Sequence, residues 1–280
     1  MTKTKYPIIL AHGICRFDHI GNMLFHMDNS EGDRFHYFRK IRSTLLEHGF
    51  EAFHSSVCWG GSVDKRAEDL KRSIESITDN FTKWDKVHII GHSTGGLDAR
   101  HMVYNYKMQN RVASLSTIGT PHWGSSFADW GIKHISFLIS LAKAMGINIE
   151  GCKDLTRENC RKFNEKTWSF ERENRILYQT VAGTVPYDQV FPAFRFPHSI
   201  IYREEGENDG LVSLNSAKWK DEFFIKKIDA DHLNELGWWH PWRSSKDFTR
   251  KKFEKRIQDL YLEIAERLGD CPIKECNSAS

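Results

Sequence analysis

The chain has 280 residues, 40% hydrophobic and 28% charged, with a formal net charge of +3. This is ordinary globular usage, long enough for one large domain with a sizeable core. The mild charge gives no case for nucleic acid, and the basic run Arg250, Lys251, Lys252, Lys255, Arg256 has the spacing of a solvated helix face.

Three further classes fall away. No stretch approaches the length of a membrane span. The apolar run Ile8 to Leu10 and Ala11 is too short for a signal-peptide core. Six scattered cysteines without a Cys-x-x-Cys exclude a dense disulfide scaffold and a zinc ribbon, although Cys152/Cys160 and Cys271/Cys276 are close enough in sequence to pair. The expectation is a cytoplasmic protein, or a secreted one if a signal was removed before residue 1.

In chain order, Ile8 to Ala11 reads as a buried strand running into the turn His12-Gly13-Ile14. Phe35 to His48 has helical spacing and stops at Gly49. Phe50 to Val57 reads as a strand and Val63 to Ile77 as a helix with Leu70, Ile74 and Ile77 on one face. Val87 to Ile90 is a short apolar strand, and Leu97 to Met108 is compatible with a helix. Val112 to Ile118 is the next strand, followed by the turn-rich Gly119 to Ser125.

Ile132 to Met145 is broadly apolar, and Asp154 to Lys166 is polar and helical. Tyr178 to Gly183 reads as a strand, Pro186 to Pro197 as a loop, and Ser199 to Tyr202 as another short strand. Glu204 to Gly210 is an acidic loop, Phe223 to Ile228 a last strand, and Asp247 to Leu268 a closing helix with an apolar stripe. Strands alternating with helices predict a mostly parallel sheet covered on both faces, with active groups at the carboxyl ends of the strands.

Between the Val87 strand and its helix lies Gly91-His92-Ser93-Thr94-Gly95. Strand, Ser-centred turn and helix are the context of a nucleophile elbow. The turn lifts the Ser93 hydroxyl to a helix start, where free N–H groups and the positive dipole end can meet an oxyanion. Serine needs a base to remove its proton, and the base needs a carboxylate to hold its tautomer. His232 follows the last strand. Asp209 is one acid for it, and Glu207, Asp229 and Asp231 are rivals. His12, His92 and His122 flank the motifs and read as positioning or packing residues.

These blocks, together with Tyr6-Pro7-Ile8-Ile9-Leu10-Ala11-His12-Gly13, Thr117 to Ser125, Asn208-Asp209-Gly210-Leu211-Val212-Ser213 and Asp231-His232-Leu233-Asn234, span most of the chain. In content and order the chain resembles the bacterial true lipases, triacylglycerol lipases of the α/β-hydrolase superfamily. The resemblance implies a single α/β-hydrolase domain over 1–280, with a mobile lid over Ala128 to Glu150 and a lid or cap insertion over 128–170. It implies Ser93 as nucleophile, Asp209 as acid and His232 as base, with the backbone N–H groups of Ile14 and Thr94 as the oxyanion hole.

The implied chemistry is hydrolysis of lipid-like acyl esters through an acyl-enzyme, with transient contact at a lipid–water interface. Phospholipase, storage-polyester or acyltransferase chemistry and a non-catalytic scaffold are the alternatives. No cofactor is expected. Calcium-binding members of the group carry Asp two residues after the His and Gln six after it. Here those positions are Asn234 and Trp238, which puts a calcium site in doubt, with Asp188 or Asp229 left to serve another one.

Overall fold

The computed structural model describes residues 3–14, 33–34, 36–58, 60–134, 136, 139, 149–241 and 249–269. Its centre is a six-stranded sheet in the order β2-β1-β3-β4-β5-β6, with every neighbouring pair parallel. The strands are β1 (Ile8–Ala11), β2 (Ala52–His54), β3 (Val87–His92), β4 (Val112–Ile118), β5 (Leu177–Thr184) and β6 (Phe224–Asp229). The helices are α1 (Ile41–Glu47), α2 (Val63–Ile77), α3 (Thr94–Asn105), α4 (Ser126–Lys133), α5 (Ile149–Lys153), α6 (Arg157–Glu173), α7 (Arg195–Glu205), α8 (Leu214–Lys218) and α9 (Arg250–Gly269).

The period of two along a strand sorts the core. Ile8 and Leu10 of β1, with Ile90, pack against Ile41 and Leu45 of α1 and Phe253, Ile257, Leu260 and Ile264 of α9. Ile9 and Ala11, with Val87 and Ile89, face the other way, onto Ala67, Leu70 and Ile74 of α2 and Ala99, Met102 and Val103 of α3. Burial on both faces explains why β1 and β3 read as continuous apolar runs.

The strand order has a switch point between β1 and β3. The chain leaves β1 toward β2 on one side and leaves β3 toward β4 on the other. The carboxyl ends of these two strands therefore bound an open crevice, where α/β sheets collect their ligands.

Several elements differ from the sequence expectation. Ser199 to Tyr202 belongs to α7. Its Ile200-Ile201 pair suggested a strand, but Pro197, His198 and Ile201 are buried at helical spacing, and Pro197 sits in the first turn, where its missing N–H costs nothing. Asp209 accordingly does not follow a strand. It lies after α7 in a loop that returns to the end of β5, where the Val185 N–H donates to the Asn208 carbonyl (3.1 Å).

The helix expected from Phe35 is ordered as α1 from Ile41, and the strand expected from Phe50 to Val57 narrows to β2. The polar helix expected to start at Asp154 begins after the Thr156 cap and runs on to Glu173. Cys152 and Cys160 are free thiols, and Cys271 and Cys276 lie outside the described residues. So does most of the expected lid over Ala128 to Glu150, except α4 and the start of α5.

Burial sets an expectation for acid. It holds His12 down at about 3 and His88 at about 4, and lowers His54, His92, His101 and His122 as well. A histidine kept neutral when folded stabilises fully above its unfolded value of about 6.5. That stability is lost as pH falls below it, at roughly 1.4 kcal/mol per pH unit for each group. Asp98, raised to about 6, and Glu235, raised well above the usual carboxylate range, both chiefly by burial, work in the opposite sense as pH falls, two groups against six. The urea midpoint is expected to drop sharply between pH 7 and 5. An unchanged midpoint would show that these imidazoles are not held neutral.

Candidate active site

β3 ends in a turn with Ser93 at φ 55°, ψ −133°, a strained position for an L-residue and the cap of α3. The flanking glycines are steric necessities. A Cβ on Gly91 would meet the Gly96 backbone at 2.7 Å, and one on Gly95 would collide with the Ala11 carbonyl. The Ser93 N–H donates to the Ile118 carbonyl (3.0 Å) and the Thr120 hydroxyl to the Ser93 carbonyl (2.7 Å), so the turn is pinned to β4.

His232 and Asp209 come to this turn from the loops after β6 and α7. His232 Nε2 lies 2.9 Å from Ser93 Oγ, and His232 Nδ1 lies 2.7 Å from Asp209 Oδ2. The carboxylate assigns the tautomer: Nδ1–H donates to Asp209 and leaves Nε2 as the acceptor of the Ser93 proton. Asp209 is itself clamped, its Oδ1 accepting the N–H groups of Leu211 (2.8 Å) and Val212 (2.7 Å) and its carbonyl the N–H of His232 (3.0 Å).

The rival acids are spent elsewhere. Glu207 pairs with Lys227, Asp229 faces Arg256, and Asp231 takes His240 at 2.6 Å. The structure thus brings Ser93, Asp209 and His232 into one hydrogen-bonded row.

Ile14 and Thr94 also meet beside Ser93. The Ile14 N–H donates to the Thr94 hydroxyl (2.7 Å). Beneath them lies Arg66, whose side chain is 0% exposed. It reaches Asp98 at 2.5 Å and 3.1 Å, the Cys58 carbonyl at 2.7 Å and the His12 carbonyl at 3.0 Å, bracing the turn that follows β1.

Two buried residues of the site escaped the sequence reading. Arg66 sits in an otherwise amphipathic helix, where a charge looks solvated. Glu235 lies three residues after His232 on a short turn of 3-10 helix, with its Oε2 3.6 Å from His232 Nδ1. The His-x-x-Glu spacing is the one signal that could have pointed to it. Burial, then the charges of Asp209 and Asp231, push the Glu235 carboxyl well above the usual carboxylate range.

Among the described residues, His92, His232 and Glu235 are the one group close enough to share a metal ion. Both nitrogens of His232 are engaged by Ser93 and Asp209, and both of His92 by Tyr37 and Glu235, so the group is a hydrogen-bonded network. At the two positions where calcium-binding members carry their ligands, the Asn234 Nδ2–H donates to the Trp238 carbonyl (2.8 Å). Asp188 is exposed, and exposed Asp229 faces Arg256.

The family model of a PGAP1-like alpha/beta domain matches residues 32–145. Triacylglycerol lipase 2 of Saccharomyces cerevisiae is 28% identical over 303 residues, 95% of this chain and 91% of its own. A triacylglycerol lipase of Pseudomonas fragi is 30% identical over 310 residues, 95% of this chain and 97% of its own. The crystal structure of Staphylococcus hyicus lipase shares the fold, with a TM-score of 0.68 at 19% identity over 96% of this chain and 97% of that one. A metagenomic carboxyl esterase does so with a TM-score of 0.69 at 17% identity over 96% and 76%. With a full-length relative at that identity and a sheet that matches lipase folds, the chain belongs to the triacylglycerol lipase family of the α/β-hydrolase superfamily.

Proposed function

We propose that this protein is a serine carboxylic ester hydrolase that cleaves lipid-like acyl esters, triacylglycerol among them, through an acyl-enzyme on Ser93. The observation that carries the reading is the His232 imidazole set between Ser93 Oγ and Asp209 Oδ2 at 2.9 and 2.7 Å. Ser93 Oγ attacks the acyl carbon as His232 Nε2 takes its proton, and Asp209 steadies the imidazolium. The oxyanion faces the Thr94 N–H and the Ile14 N–H, with the Thr94 hydroxyl turning off Ile14 to make room. His232 returns the proton to the leaving alcohol. Water then attacks the acyl-enzyme by the same route and frees the acid.

The test is hydrolysis of p-nitrophenyl esters from short to long chain beside emulsified triglyceride. Absence of turnover on every ester would overturn the reading. The same series tests the proposed lid and interface contact. α4 presents Phe127 and Trp130 against Phe196 of α7, an aromatic cluster in which Phe196 is 49% exposed. If this cluster meets lipid, the rate should rise when the ester passes its solubility limit. A rate that follows dissolved ester alone would remove the lid. Among the described residues no helix is long and apolar enough to cross a membrane.

The Asn234–Trp238 bond supports independence from calcium. EDTA is expected to leave both hydrolysis and melting temperature where they were. A drop in melting temperature that calcium restores would show a metal holding the His232 loop.

A further inference from the structure

A second row of hydrogen bonds lies beside the first and has no part in the proton transfers just described. Tyr37 Oη accepts the Gly13 N–H (3.2 Å) and meets His92 Nδ1 (2.8 Å). His92 Nε2 meets Glu235 Oε2 (3.0 Å), and Glu235 Oε1 accepts the Gly183 N–H (3.0 Å). The side chains of His92 and Glu235 are 0% exposed, and Tyr37 is buried.

The sheet is shaped to admit Glu235. A Cβ at Gly119 or at Gly183 would collide with its carboxyl oxygens. Tyr261 of α9 fixes its main chain, donating to the Glu235 carbonyl (3.1 Å).

The ends of this row are informative. Gly13 immediately precedes Ile14, and Glu235 faces the His232 imidazole. The protons can be assigned consistently. Glu235, held neutral by burial and by Asp209 and Asp231, donates from Oε2 to His92 Nε2. His92, kept uncharged by burial, donates from Nδ1 to Tyr37. A buried row of this kind is rigid, and removing one member leaves its neighbours unpaired at high cost.

We propose that Tyr37, His92 and Glu235 are positioning residues: one hydrogen-bonded row fixes the Gly13–Ile14 turn relative to the His232 imidazole, so that the oxyanion donor and the base are set together. This rests on the reading of Ser93 as nucleophile. None of the three touches the acyl group; they act through Ile14 and His232.

The test is a double-mutant cycle on soluble p-nitrophenyl butyrate. Tyr37→Phe keeps the ring and removes the link to Gly13. Glu235→Leu removes the far end. Each is expected to lower kcat about tenfold with KM within about twofold, because the loss is of transition-state geometry. The double variant should be no worse than the poorer single, since a broken row cannot be broken again. Glu235→Gln keeps a donor for His92 and an acceptor for Gly183, and should recover to within about threefold of wild type.

Additive losses, or a Glu235→Gln variant as poor as Glu235→Leu, would overturn the proposal. If Glu235→Leu does not fold, Tyr37→Phe and Glu235→Gln decide it: a kcat within twofold for Tyr37→Phe also overturns it. Labelling of the wild-type protein with a serine-directed alkyl phosphonate, located by mass spectrometry, separates the two readings. Loss of label from Ser93 would remove the nucleophile assignment itself, whereas additivity with Ser93 labelled removes only the row.

Discussion

Ser93→Ala is expected to abolish ester hydrolysis to the extent of about 10⁴-fold or more in kcat, with melting temperature and circular dichroism unchanged. The magnitude follows from the row it terminates. Without Ser93 Oγ, the His232–Asp209 pair has no nucleophile to activate, and members of such a row act as a unit rather than as separate contributions. The substitution is small, and alanine accepts the strained turn at φ 55° as well as serine does. Stability should therefore hardly move. Hydrolysis of p-nitrophenyl esters by the folded variant at near the wild-type rate would end the assignment of Ser93.

Arg66→Leu is expected to produce the largest loss of stability, on the order of 3–5 kcal/mol by urea unfolding. The guanidinium and the Asp98 carboxylate are buried together, and deleting the cation leaves the carboxyl without its partner in the core. Burial already pushes Asp98 up to about 6 against the pull of Arg66, so the carboxyl of the variant will take up a proton rather than stay charged. The His12 and Cys58 carbonyls lose their donor at the same time. If the pair is the cause, Arg66→Leu/Asp98→Leu should recover much of the loss, since two apolar side chains leave no orphaned charge. A loss below about 1 kcal/mol for Arg66→Leu alone would show that the pair adds little.

The sheet was largely legible because its strands are buried on both faces and so appear as short apolar runs: Ile8 to Ala11, Val87 to Ile90 and Val112 to Ile118. Ser93, Asp209 and His232 were legible because each sits in a local block with its own turn chemistry, and the structure brings the three side chains together. What stayed hidden depends on tertiary partners. Ile200-Ile201 carries a strand propensity that the packing of α7 overrides. Arg66 and Glu235 are charged residues in segments that look solvated, and only long-range contacts with Asp98, His92 and Gly183 show them to be buried. Nothing in the neighbourhood of Tyr37 in sequence points to Gly13 or His92.

The switch point has a consequence for how such a protein can diversify. The proposed oxyanion turn and nucleophile follow β1 and β3, adjacent strands whose connections leave in opposite directions. The longest excursion comes later, after β4 through α4 to α6. The proposed catalytic residues Ser93, Asp209 and His232 are therefore encoded outside that stretch of chain. A segment grafted between β4 and β5 can reshape what enters the crevice while the bonds among Ser93, Thr94, Ile14 and Arg66 stay as they are. Selectivity can thus drift by insertion and deletion in one part of the gene without passing through an inactive intermediate.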